Sequence, residues 1–237
     1  MDKIDSAGAG GLRKVSLEDK WTDERGCVFI SAKQALARVA LLQSALDARN
    51  GLNTAGFITG YPGSPLGTFD LELGRIQNRL KKAGVVFQPG LNEDLAATAI
   101  WGSQQSSFLA GQRFDGVFAF WYGKGPGFDR ACDAFKHANL AGTAEKGGAL
   151  ILVGDDHPGK SSGAAFQTDL SLAALGIPTL YPATVADFLR FGLYGIALSR
   201  YSGLYVAIKC VNECIDSAAS VYFDLDEIRP VYPDASF

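Results

Sequence analysis

The stretch Gly84–Gln104, GVVFQPGLNEDLAATAIWGSQ, contains one complete strand–loop–helix unit. Val85, Val86 and Phe87 form a short apolar run, which reads as a buried strand. Gln88, Pro89 and Gly90 break it. Asn92 is a good N-cap, and the acids Glu93 and Asp94 open a helix rich in Ala and Ser. An acid where a strand hands over to a helix has two readings. It can be a first-turn carboxylate favoured by the helix dipole. It can also be a carboxyl in a partly dry cleft, placed to share a proton with a cofactor nitrogen.

The same unit recurs outward in both directions. Helix signals cover residues 31–50, with Ala35, Leu36, Val39, Leu42 and Leu46 on one face, then 68–83, 94–110, 129–141, 166–175 and 185–201. Strand signals cover 56–59, 85–88, 115–122, 147–156, 177–182 and 203–209. GGALILVGDD, residues 147–156, is the cleanest of them. Continuous apolar strands alternating with helices predict an α/β fold. The expected form is a doubly wound, mostly parallel sheet with helices on both faces. Residues 1–27 read as a flexible arm, 28–216 as the domain and 217–237 as a linker or docking tail. Ligand chemistry in such a sheet belongs to loops at the carboxyl ends of the strands. Here these are 60–67, 89–94, 122–129 and 154–162.

Composition narrows the function classes. Apolar residues make up 47% of 237, enough for a large core without disulfides. The formal net charge is −3, with no basic run, which argues against a nucleic-acid partner. No window of 18 apolar residues and no signal peptide occurs, so no membrane association and a cytoplasmic location are expected. Cys27, Cys132, Cys210 and Cys214 form no C-x-x-C pair, and His137 and His157 are too few for a histidine metal site, so no metal is expected.

No loop carries a standard nucleotide fingerprint. GYPGSPLG, residues 60–67, holds two prolines, which lack the N–H donors of a phosphate cradle. Trp101, Trp121, Tyr122 and Phe128 read as packing or interface residues. Lys124 and Lys160 sit on loops where they could meet an anion or simply be solvated. Asp155, Asp156 and His157 read as a turn in which aspartate caps and histidine faces solvent, in preference to a metal site.

Taken together, GYPGSP after the first strand, NEDLAATA after the second, WYGKGPGFDRACDAFKHAN after the third and GDDHPGKSS after the fourth resemble one family. It is the thiamine diphosphate-dependent 2-oxoacid:ferredoxin oxidoreductases, in the indolepyruvate branch of the fused bacterial type. The likeness runs from about residue 28 to 215. It implies the thiamine diphosphate-binding fold and, within it, the amino-terminal pyrimidine-binding domain. By that resemblance Glu93 hydrogen-bonds the aminopyrimidine ring of the cofactor. Tyr61, Pro62, Gly63 and Asn92 line its site. Ser64 stands at the hydroxyl position near the substrate carbonyl. Lys124 lies near a lysine of many relatives, although the Gly-Pro-Gly after it departs from the archaeal pattern.

The resemblance also implies what lies elsewhere. The Gly-Asp-Gly run that binds Mg²⁺ and diphosphate, the cysteines of [4Fe–4S] clusters and the gamma-type domain are missing from this sequence. The expectation is an amino-terminal fragment of a longer enzyme or a separate subunit, inactive alone, its thiamine diphosphate shared with a second domain. The implied partners are those domains, ferredoxin, a 2-oxoacid and coenzyme A. The implied reaction is oxidative decarboxylation of an aryl 2-oxoacid to acyl-CoA. A different thiamine diphosphate enzyme and a non-catalytic assembly domain stay open beside it.

Overall fold

The computed structural model describes residues 15–161 and 163–233. Its strands are β1 (Arg25–Ser31), β2 (Thr54–Gly60), β3 (Val85–Phe87), β4 (Gly116–Lys124), β5 (Ala149–Asp155), β6 (Thr179–Leu180), β7 (Val206–Val211) and β8 (Ala218–Asp224). The helices are α1 (Asp19–Thr22), α2 (Ala32–Arg49), α3 (Phe69–Arg75), α4 (Gln77–Lys82), α5 (Glu93–Gln104) and α6 (Gly125–Arg130). They continue with α7 (Cys132–Ala141), α8 (Asp169–Ala174), α9 (Val185–Ser202), α10 (Asn212–Ile215) and α11 (Leu225–Ile228).

Six strands form one sheet in the order β3-β2-β4-β5-β7-β6, every neighbouring pair parallel. Side chains alternate between the two faces of a strand, so the inner strands β2, β4, β5 and β7 feed two cores. Phe118, Phe120, Tyr122, Leu150, Leu152, Val206 and Ile208 enter one core with α2 and α9. Ala119, Trp121, Ala149, Ile151, Val153 and Ala207 enter the other with α5 and α7. The expected doubly wound α/β sheet is what the structure has.

Local chemistry fixes the long helices. Ser31 and Gln34 form a capping box at the start of α2, and Thr184 and Asp187 form one at the start of α9. Gly203, in the left-handed region at φ 74°, ends α9.

Several expectations need correction. The helix expected over 68–83 is two helices broken at Ile76, and that expected over 129–141 breaks at Ala131. Residues 125–127, expected in a glycine loop over 123–127, lie in α6, which runs on to Arg130. Pro126 sits in its first turn, where a missing N–H costs nothing. Residues 15–27, expected in a flexible arm, include α1 and the start of β1; residues 1–14 lie outside the described set. Residues 218–224, expected in a tail, form β8. It pairs antiparallel with β1 over Arg25↔Asp224 to Ser31↔Ala218 as a separate two-stranded ribbon. No described helix is long and apolar enough to cross a membrane.

Candidate functional site

In this strand order the chain leaves β2 toward β3 and leaves β4 in the opposite direction, toward β5. The crevice at the carboxyl ends of β2 and β4 is therefore the switch point, where open α/β sheets bind ligands. The loop after β2 is pinned there by the Tyr61 N–H donating to the Tyr122 carbonyl at 3.0 Å. The loop after β3 is pinned by the Gly90 N–H donating to the Gly60 carbonyl at 2.8 Å. Gly60 and Gly90 allow these approaches: a β-carbon on either would overlap neighbouring atoms of Tyr122 or Ala96.

Glu93 is the first residue of α5, and it reaches this crevice. Asn92 precedes it as N-cap, its Oδ1 accepting from the Leu95 N–H at 2.8 Å. The Glu93 carbonyl accepts from Trp121 Nε1 at 3.0 Å, which locks the helix start to the buried end of β4. The Glu93 side chain is half-buried and lies on Gly127 in α6. A β-carbon built at Gly127 would stand 2.5 Å from Glu93 Cγ and 2.6 Å from Oε1. No described residue hydrogen-bonds its carboxylate. A carboxylate left free against a glycine wall, beside the switch point, fits a ligand that brings its own donors.

Ser64 and Lys124 occupy the other side of the crevice. The aliphatic stem of Lys124 lies against Gly63, whose β-carbon would stand 2.8 Å from Lys124 Cγ. No described carboxylate pairs with the Lys124 ammonium. Ser64 Oγ accepts from Ser161 Oγ at 2.6 Å. Pro65, after a cis Ser64–Pro65 bond, packs on Gly154 of β5. Tyr61 and Pro62 are exposed at the loop's edge. Glu93, Tyr61, Gly63, Ser64 and Lys124 thus share one end of the sheet, while Asn92 spends its side-chain oxygen on the cap.

Asp155 and Asp156 are a correction. They were expected in a solvated turn; both are buried. Asp155 Oδ2 accepts from the Thr168 N–H at 2.9 Å and hydroxyl at 3.0 Å, and lies 3.5 Å from Lys209 Nζ. Its Oδ1 is buried without a hydrogen-bond partner among the described residues. Burial pushes the Asp155 carboxyl above the usual carboxylate range, against the pull of Thr168 and Lys209. Lys209 also donates to Asp169 and holds that carboxyl below its usual value. Asp155, His157 and Asp169 are near enough to one another to ligate a cation, but the Lys209 ammonium is already seated between the two carboxylates. Sequence reading missed Lys209, although a lysine inside the apolar run YVAIKC was a usable signal. It also missed the role of Ser161, whose partner lies on another loop.

No protein-family model matches the chain, and no curated protein matches it in sequence. Solved structures do. One is the 2-oxoglutarate:ferredoxin oxidoreductase of Magnetococcus marinus, with 2-oxoglutarate, coenzyme A and succinyl-CoA bound. It superposes at TM-score 0.64 and 16% identity over 90% of this chain and 35% of that one. Another is the thiamine diphosphate-dependent 4-hydroxybenzoylformate decarboxylase of Rhodococcus jostii RHA1, at TM-score 0.54 and 16% identity over 84% of this chain and 34% of that one. The likeness is one of fold: this chain has the α/β architecture of a domain found in both enzymes and spans about a third of each.

Proposed function

We propose that this chain is the pyrimidine-binding domain of a thiamine diphosphate-dependent 2-oxoacid:ferredoxin oxidoreductase of the indolepyruvate type. The observation that carries the reading is the Glu93 carboxylate. It stands at a helix start beside the switch point, on a glycine wall, with no hydrogen-bond partner among the described residues. In this role a Glu93 oxygen shares a proton with a pyrimidine ring nitrogen. The backbone bond from Trp121 and the cap from Asn92 hold the carboxylate in place while it does so. When bound, the cofactor supplies the nucleophilic carbon and electron sink that decarboxylation of a 2-oxoacid needs.

On the facing loop, Ser64 offers a hydroxyl and Lys124 a cation to the substrate's carbonyl and carboxylate oxygens. Such charge-assisted bonds are about twice as strong as neutral ones. Tyr61, Pro62 and Gly63 shape the loop that carries Ser64. Diphosphate, Mg²⁺ and iron–sulfur clusters are held by other domains, so this domain does not turn over alone. Coenzyme A takes the acyl group and ferredoxin the electrons.

The test is Glu93→Gln in the intact enzyme. Gln keeps the shape but cannot share a proton in the same way. Thiamine-dependent turnover of an aryl 2-oxoacid should fall by about 10²-fold or more, with iron content and unfolding midpoint retained. Turnover within twofold of wild type would sink the reading.

The fold likeness to a decarboxylase supports a second reading, a non-oxidative thiamine enzyme. It predicts aldehyde release without reduction of any electron acceptor.

A further inference from the structure

The loop after β5 presents a second hydroxyl at the same crevice, on a scaffold of its own. Asp156, 1% exposed, is its centre. Its Oδ1 accepts from the Lys160 N–H at 3.0 Å and from Asn212 Nδ2, at the start of α10, at 2.6 Å. Its Oδ2 accepts from the Ser161 N–H at 2.7 Å and lies 3.1 Å from Ser161 Oγ. The Asp156 carbonyl accepts from Gly159 and Phe166 N–H groups at 3.1 and 3.0 Å, closing the loop on itself. Ser161 Oγ is then 2.6 Å from Ser64 Oγ.

We propose that Ser161 is a second hydroxyl of the substrate pocket, coupled to Ser64, and that Asp156 is the positioning residue that sets it there. The assignment rests on the reading of the Ser64 loop as the 2-oxoacid site. Proton counting gives it content. Two hydroxyls in contact carry two protons, and one lies in the bond between them. A carboxylate only accepts. When Ser161 donates to Asp156, Ser64 donates to Ser161 and presents only lone pairs to the crevice. When Ser161 donates to Ser64, the Ser64 proton is free for an anionic oxygen. A bound 2-oxoacid selects the second arrangement. The Asp156 Oδ2 it vacates keeps its bond from the Ser161 N–H. The pair thus turns Ser64 from acceptor to donor without moving a heavy atom.

The test uses the intact enzyme with Ser64→Ala, Ser161→Ala, both together, Ser161→Thr and Asp156→Asn. Ser161→Ala should raise KM for the 2-oxoacid by about 3- to 10-fold with kcat changed less than about twofold, the loss of one hydrogen bond in binding. The double variant should be no worse than Ser64→Ala, and Ser161→Thr should restore most of the loss. Without substrate or cofactor, hydrogen exchange should show Lys160 and Ser161 amides protected in the wild type and at least about tenfold less so in Asp156→Asn.

An unchanged KM in Ser161→Ala, multiplying effects in the double variant, or unaltered exchange in Asp156→Asn would each overturn the assignment alone. A wild type without thiamine-dependent turnover of any 2-oxoacid overturns the reading of the site and this assignment with it. Ser161→Ala removes one exposed hydroxyl, so the kinetic arm stands even where Asp156→Asn fails to fold.

Discussion

Gly127 decides where the Glu93 carboxylate can lie. Its backbone is outside the positive-φ region, so alanine there is unstrained, but the added methyl meets Glu93 Cγ and Oε1. The side chain must swing aside. On the proposed function, Gly127→Ala should therefore lower thiamine-dependent turnover by roughly 10- to 100-fold, as misplacement by about 1 Å does. Urea unfolding should move by less than about 1 kcal/mol, since the residue that yields is a half-exposed side chain. Asn92→Ala should do the reverse in kind, costing about 1 kcal/mol of stability through the lost cap. Glu93 and Asn92 were legible because their signals are local: an N-cap, an acid, a small-residue helix. Asp156 was not. Its Oδ1 accepts from Asn212, which sequence separates from it and the sheet brings beside it.

Elements were read best where capping and periodicity agree, as in α2 and α9. They were read worst where periodicity ran through a break. The apolar positions of α3 and α4 face one core, so nothing in the pattern marks the turn at Ile76. β1 was missed for the opposite reason. Val28 and Ile30 point inward, but Cys27 and Phe29 beside them are exposed, and the alternation is hidden. Glycine spacing inside α9 has a direct reading. A β-carbon at Gly192 would overlap Val39 of α2, and one at Gly195 would stand 2.7 Å from Leu150 Cδ2. Gly192→Ala should thus destabilise by roughly 1–3 kcal/mol despite the better helix propensity of alanine. Thermal unfolding will show it as a lowered Tm.

At the scale of the whole molecule, buried ion pairs stand at both ends of the six-stranded sheet. At the amino-terminal end Arg200 makes a two-pronged pair with Asp47, at 2.7 and 2.8 Å, bracing α9 against α2. At the carboxyl end Lys209 stands between Asp155 and Asp169. Lys209→Met should cost about 3–5 kcal/mol at neutral pH, because Asp155 is left buried without a cation. The pH dependence has a definite sign. The folded-state value of Asp155 is already above its ordinary value. Its favourable contribution is present in acid and is lost as pH rises through the folded value. Removing Lys209 raises that value further, so the deficit should shrink toward about pH 4 and grow toward about pH 7 in urea titrations. A deficit independent of pH would remove Asp155 from the explanation.

The ribbon of β1 and β8 has a consequence for synthesis. β1 leaves the ribosome before every strand of the six-stranded sheet, and its hydrogen-bonding partner β8 emerges after all of them. Until then Val28 and Ile30 have no cross-strand cover, and the parallel sheet must assemble beside an open edge. The nascent chain is thus vulnerable to chaperone capture or mispairing at β1 for as long as β8 is unmade. Its protection arrives only with the closing strand.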